Sequence, residues 1–72
     1  MTIVVEQQEN ENYYISLEIT KKWDNEFYVV QCCPIISKKE RLCGYPQLER
    51  FYSINDKENA YKTFKRYAKK YI

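Results

Sequence analysis

Apolar and polar side chains alternate most regularly from Tyr13 to Thr20. Tyr13, Ile15, Leu17 and Ile19 fall on one side, and Tyr14, Ser16, Glu18 and Thr20 on the other. A period of two residues predicts a strand with one face in the core and one in water. Upstream, "TIVVEQ" (residues 2–7) puts Ile3 and Val5 on one face, and the polar run "ENEN" (9–12) supplies a turn. The two segments together predict a β-hairpin. Asp24-Asn25 is a second turn pair, and "FYVVQCC" (27–33) then opens a third strand. Both of its faces are apolar, Phe27/Val29/Cys33 against Tyr28/Val30/Cys32, as a central strand covered on both sides requires.

Pro34 lacks a backbone donor, so it marks an end of regular pairing, a bulge or an edge. "SKKERLCGYP" (37–46) reads as a loop or an irregular hairpin tip. "QLERFYSI" (47–54) predicts a fourth, weaker strand, with Leu48, Tyr52 and Ile54 on one face, Phe51 on the other, and Arg50 interrupting the apolar side. The period then changes to 3.6. Ala60, Tyr61, Phe64, Tyr67, Ala68 and Tyr71 fall within an arc of about 120°, with Lys62, Lys65, Arg66, Lys69 and Lys70 opposite. Asn55 suits the N-cap, and Glu58 three residues on completes a capping-box pattern. A helix from Asp56 to Tyr71 would be about 24 Å long. The expected fold is α+β: one small domain over residues 1–72, an antiparallel meander of three to four strands with a C-terminal amphipathic helix across one face (β-β-β-β-α).

Composition sharpens this picture. Hydrophobic residues are 44% of the 72 and aromatics 17%, enough for one core despite 31% charged residues. A core of this size is marginal unless well packed, stapled or extended by a partner, which makes a homodimer through an edge strand such as "TIVVEQ" an expectation. The net charge of +2 is unevenly spread. Residues 1–26 carry six acids against Lys21 and Lys22, while residues 27–72 carry ten bases against four acids. The start shows no basic segment followed by an apolar stretch, and no apolar run approaches the ~20 residues of a membrane span. The expectation is a cytoplasmic protein without a membrane partner.

The chemistry is narrow. The chain has no histidine and one glycine, which removes the usual general base, the Ser-His and Cys-His nucleophile pairs and any glycine-rich phosphate loop. No enzyme activity, catalytic residue or cofactor is expected. Cys32 and Cys33 are adjacent, so on a strand they point to opposite faces rather than toward one metal ion, and no metal site is expected. A Cys33–Cys43 bridge is conceivable across the hairpin but disfavoured in a reducing compartment.

What remains is binding. Trp23 beside a turn could be an exposed recognition residue or could fold back over the sheet edge; a small core's need for its large residues favours the second. Tyr14, Tyr28 and Phe51 lie opposite the main apolar set and are expected to form an aromatic patch on the face the helix leaves open. Tyr14, Trp23, Tyr28 and Phe51 are therefore the candidate protein-contacting residues of a small non-enzymatic binding module, an inhibitor or regulator of a larger protein or complex. The alternative is a nucleic-acid-binding protein using the cationic stripe Lys62, Lys65, Arg66, Lys69 and Lys70. The small size and the Lys-, Asn-, Tyr- and Ile-rich composition resemble those of short proteins on mobile elements of low-GC bacteria, including anti-defence inhibitors. That resemblance implies the inhibitor reading and transfers no residue roles.

Overall fold

The alternation at 13–20 becomes the spine of an antiparallel sheet. The computed structural model describes residues 2–37, 39–40 and 42–72. In chain order these form β1 (Thr2–Glu9), β2 (Tyr13–Lys22), β3 (Asn25–Ser37), β4 (Leu42–Cys43), β5 (Leu48–Ser53) and α1 (Lys57–Tyr71). β1 pairs with β2 and β2 with β3; the far edge of β3 is shared by β5 along Phe27–Cys32 and by β4 at Ile35 and Ser37. The fold is α+β, an antiparallel sheet followed by one helix packed on it.

Register decides which face is the core. Ile15 stands opposite Cys32, Leu17 opposite Val30 and Ile19 opposite Tyr28. On the other side of β3, Tyr28 meets Tyr52 and Cys32 meets Leu48. The helix lies on this face. Ile15, Leu17, Tyr28, Val30 and Cys32 pack with Ala60, Phe64, Tyr67 and Ala68 into one cluster. Phe64, 1% exposed, is the largest fully buried side chain, and a phenylalanine so placed contributes about 1.5–3 kcal/mol by burial. Tyr52 and Thr63 join the sheet to the helix through hydroxyls 2.5 Å apart.

Two local expectations shift, the β2–β3 turn and the helix N-cap. The β2–β3 turn is Trp23-Asp24, not Asp24-Asn25: Lys22 pairs with Asn25, and the two residues between have φ of 51° and 65°. Pro34 sits opposite Tyr13 and ends the β2 ladder, with an irregular pairing beyond it, as its missing donor leads one to expect. Its missing donor is harmless there, because the neighbouring Ile35 N–H donates to the Asn12 carbonyl and the Gly44 N–H donates to the Pro34 carbonyl, both at 2.8 Å. The segment expected as a loop or an irregular hairpin tip is the latter: it contains β4, which pairs with β3 with a register shift between Ile35 and Ser37. A side chain at Gly44 would bring its Cβ within 3.2 Å of the Pro34 ring, which accounts for the glycine. The helix N-cap is Asp56 rather than Asn55, and its side chain caps no backbone N–H but accepts from Asn59 Nδ2 at 2.9 Å. Glu58 is thus free to pair with Lys62, at 3.3 Å.

The other end of the helix is held by the β1–β2 turn. Asn10 Oδ1 accepts from the N–H groups of Asn12 and Tyr13, both at 2.8 Å, while its Nδ2 donates to the Tyr71 carbonyl at 3.0 Å. One side chain thus builds the turn and satisfies a carbonyl that a helix end leaves without a partner. Tyr13 and Tyr71 stack beside it, ring centres 5.0 Å apart.

Candidate partner-binding surfaces

The β2–β3 hairpin carries its most exposed aromatic at its tip. Trp23 is 82% exposed, so it does not fold back over the sheet edge. Two positive φ values in a two-residue loop are the type I′ pattern, which matches the strand twist and favours Asn-Gly. Trp and Asp meet that geometry with a steric cost of order 1 kcal/mol each. The Asn25 side chain donates to the Trp23 carbonyl at 3.3 Å, and the Lys22 ammonium sits 4.7 Å from the indole centre. The ten paired positions from Tyr13/Pro34 to Lys22/Asn25 hold this tip on a continuous ladder.

The expected aromatic patch does not assemble. Tyr28 faces the helix and is 7% exposed, because pairing with Ile19 puts it on the core side. Tyr14 and Phe51 do share the open face. They lie opposite Cys33 and Val29, however, four residues apart on β3 and so separated by roughly 13 Å along the strand. Phe51 is 60% exposed. Tyr14 is half-buried, and its hydroxyl donates to Gln7 Oε1 at 2.7 Å. Burial, followed by the nearby Glu18 carboxylate, raises its pKa. Arg50 lies opposite Val30 and is exposed at the margin of the helix side.

Polar side chains cover the middle of the open face. Ser16 Oγ donates to Glu18 at 2.9 Å, and Gln31 Nε2 donates to Glu49 at 2.9 Å. Ser16, Val29 and Cys33 are buried among them. Cys32 points the other way, into the core. Burial raises the pKa of both thiols, so neither carries the thiolate character of a reactive cysteine at neutral pH. Among the described residues no group of three His, Cys, Asp or Glu gathers as metal ligands would, and no helix is long and apolar enough to cross a membrane.

From Lys62 onward the outer side of the helix is cationic. Lys62, Lys65, Arg66, Lys69 and Lys70 are all exposed. Among the described residues only Lys62 has a carboxylate partner, and that partner is on the helix itself. Arg66 and Lys70 rest near the rings of Tyr67 and Tyr71. The acidic N-terminal half thus leaves the stripe uncompensated among the described residues.

Two exposed apolar groups flank the sheet, the first without a signal in the sequence pattern. Ile36, Leu42 and Tyr45 are 70%, 48% and 94% exposed around the β3–β4 pairing, where Ile36, Cys43, Gly44, Tyr45 and Pro46 line a shallow groove. Ile3 and Val4, 56% and 47% exposed, stand on β1. The second group has a visible signal, since Thr2–Val5 is wholly β-branched. No protein-family model, curated protein or solved structure matches the chain.

Proposed function

We propose that this chain is a small non-enzymatic protein-binding module, an inhibitor or regulator of a larger protein or complex, that engages its partner through the β2–β3 hairpin tip. Trp23 carries this reading. Its side chain is 82% exposed on a turn whose geometry favours other residues, although tryptophan is the residue most enriched among binding anchors. The core is closed without it. A protruding indole whose neighbours Lys21, Lys22, Asp24 and Glu26 balance in charge fits an apolar recess. The test is capture from a lysate on immobilised protein, with nuclease present throughout. A partner retained by the wild type and lost with Trp23→Ala supports the reading, and equal retention by both proteins overturns it.

The cationic helix face favours a second reading, contact with a nucleic-acid backbone. Its supporting observation is that Lys65, Arg66, Lys69 and Lys70 are exposed and have no carboxylate partner among the described residues. No base-reading feature accompanies the stripe, so this reading predicts affinity without sequence preference.

A further inference from the structure

β1 bonds to β2 along one side, and no described strand takes the other. The helix lies on β2, β3 and β5 and does not cover this edge. Exposed edges are usually blunted by lysine, proline, a β-bulge or a covering element, and β1 carries one of these, an irregularity at Val5. β1 has no lysine and no proline, and its first four residues, Thr2, Ile3, Val4 and Val5, are uncharged and β-branched. Ile3 stands opposite Ile19 on the helix side and Val4 opposite Glu18 on the open side, so each face of the sheet shows an exposed aliphatic group at the same edge. The register shift falls between Val4 and Glu6, which leaves Thr2–Val4 regular.

We propose that β1 pairs antiparallel with β1 of a second copy of this chain, about a two-fold axis normal to the sheet at Val4. Such an axis keeps each face on its own side, so residues of like orientation meet across it from Ile3 to Val5. Past the irregularity Glu6 stands opposite Leu17 on the helix side while Thr2 stands opposite Thr20 on the open side, and the ladder ends there. Val4 then meets Val4 of the second copy on the open face. Ile3 meets Val5 of the second copy on the helix face, and Val5 already packs against the core. The apolar contact is therefore continuous with both cores. Charge excludes the register centred on Glu6. The two copies of Glu6, and those of Glu9, fall on opposite sides of the axis, whereas a register centred on Glu6 would set carboxylate against carboxylate at a cost in pairing. The neutral segment is complementary to itself, which favours a second copy over an unrelated strand. A ladder this short makes the dimer weak and reversible. The inference rests on the edge alone and is independent of Trp23.

Sedimentation equilibrium of the wild type, from about 10 µM to about 1 mM, tests it by mass action. The expected result is a mass rising from one 8.8 kDa chain toward two. Val4→Lys puts two ammonium groups at the axis and is expected to weaken the dimer at least about tenfold. Because Val4 is already exposed, circular dichroism should show that variant folded. Trp23→Ser should dimerise like the wild type. Backbone amides of residues 2–5 should exchange more slowly at high concentration. A wild type that stays monomeric throughout the range overturns the proposal, as does a dimer that survives Val4→Lys or is lost with Trp23→Ser. Capture of an unrelated strand at this edge with no wild-type dimer also overturns it.

Discussion

At the scale of single residues, Trp23 and Asp24 place an exposed indole where backbone geometry favours Asn-Gly. The double variant Trp23→Asn with Asp24→Gly is therefore expected to raise stability by about 1–2 kcal/mol, since both replacements suit positive φ. Thermal unfolding should report this as a gain of roughly 4–8 °C for each kcal/mol in a domain of this size. The same variant should lose any partner that Trp23 anchors, so stability and binding move in opposite directions. A drop in melting temperature would show that the Trp23 ring stabilises the hairpin instead. Cys32 makes a second prediction at this scale. Its thiol is fully buried and its pKa raised by that burial. Above about pH 8.5 the unfolded chain loses the thiol proton while the folded chain keeps it, so this group's effect on stability falls as pH rises. Cys32→Val removes the titration, and urea unfolding from pH 7 to pH 10 should fall less steeply in that variant than in the wild type.

At the scale of elements, the joint between the β1–β2 turn and the helix C-terminus depends on one amide. Asn10→Ala removes two acceptor bonds within the turn and the donor bond to the Tyr71 carbonyl. With each bond contributing about 0.5–1.5 kcal/mol net, a loss of about 2 kcal/mol is expected. Asn10→Asp keeps the acceptor and loses the donor, so it should recover part of that in denaturant unfolding. Equal stability of Asn10→Ala and the wild type would remove this joint from the account. The elements themselves were legible in sequence where one period dominates. Tyr13–Thr20 alternates cleanly, and Ala60–Tyr71 keeps a single apolar arc. β3 was ambiguous because both of its faces are apolar. Only pairing with Ile15, Leu17 and Ile19 sends Tyr28 inward and Phe27 outward, and the aromatic patch expected at Tyr14, Tyr28 and Phe51 fails for that reason. The local signal sets the turn one residue late, because Asp-Asn is the stronger turn pair. The ladder overrides it, closing at Lys22 and Asn25. β4 was invisible because two residues carry no period, and they pair only because β3 continues past Pro34.

At the scale of the whole molecule, the sheet and helix carry different charge. The acids of residues 1–26 sit in β1, β2, their turns and the start of β3, and exposed cations line the outer helix. Among the described residues no ion pair joins the two sets. The candidate binding surfaces therefore differ in how salt should act on them. An indole seated in an apolar recess is nearly indifferent to ionic strength, because its contribution comes from area removed from water. A cationic stripe on a phosphate backbone is not, because each neutralised phosphate releases a counterion. Four contacts, from Lys65, Arg66, Lys69 and Lys70, imply about a 10²-fold loss of affinity for duplex DNA between roughly 50 and 200 mM salt. Lys62, already paired with Glu58, should add little to that slope. Fluorescence anisotropy with a labelled duplex, repeated across that range, measures it directly. If the helix contacts nucleic acid, changing all four residues to Glu abolishes binding while Trp23→Ala leaves it intact. If the helix face is only solvated, the wild type shows no saturable binding at the lowest salt, and the hairpin tip stands as the remaining surface.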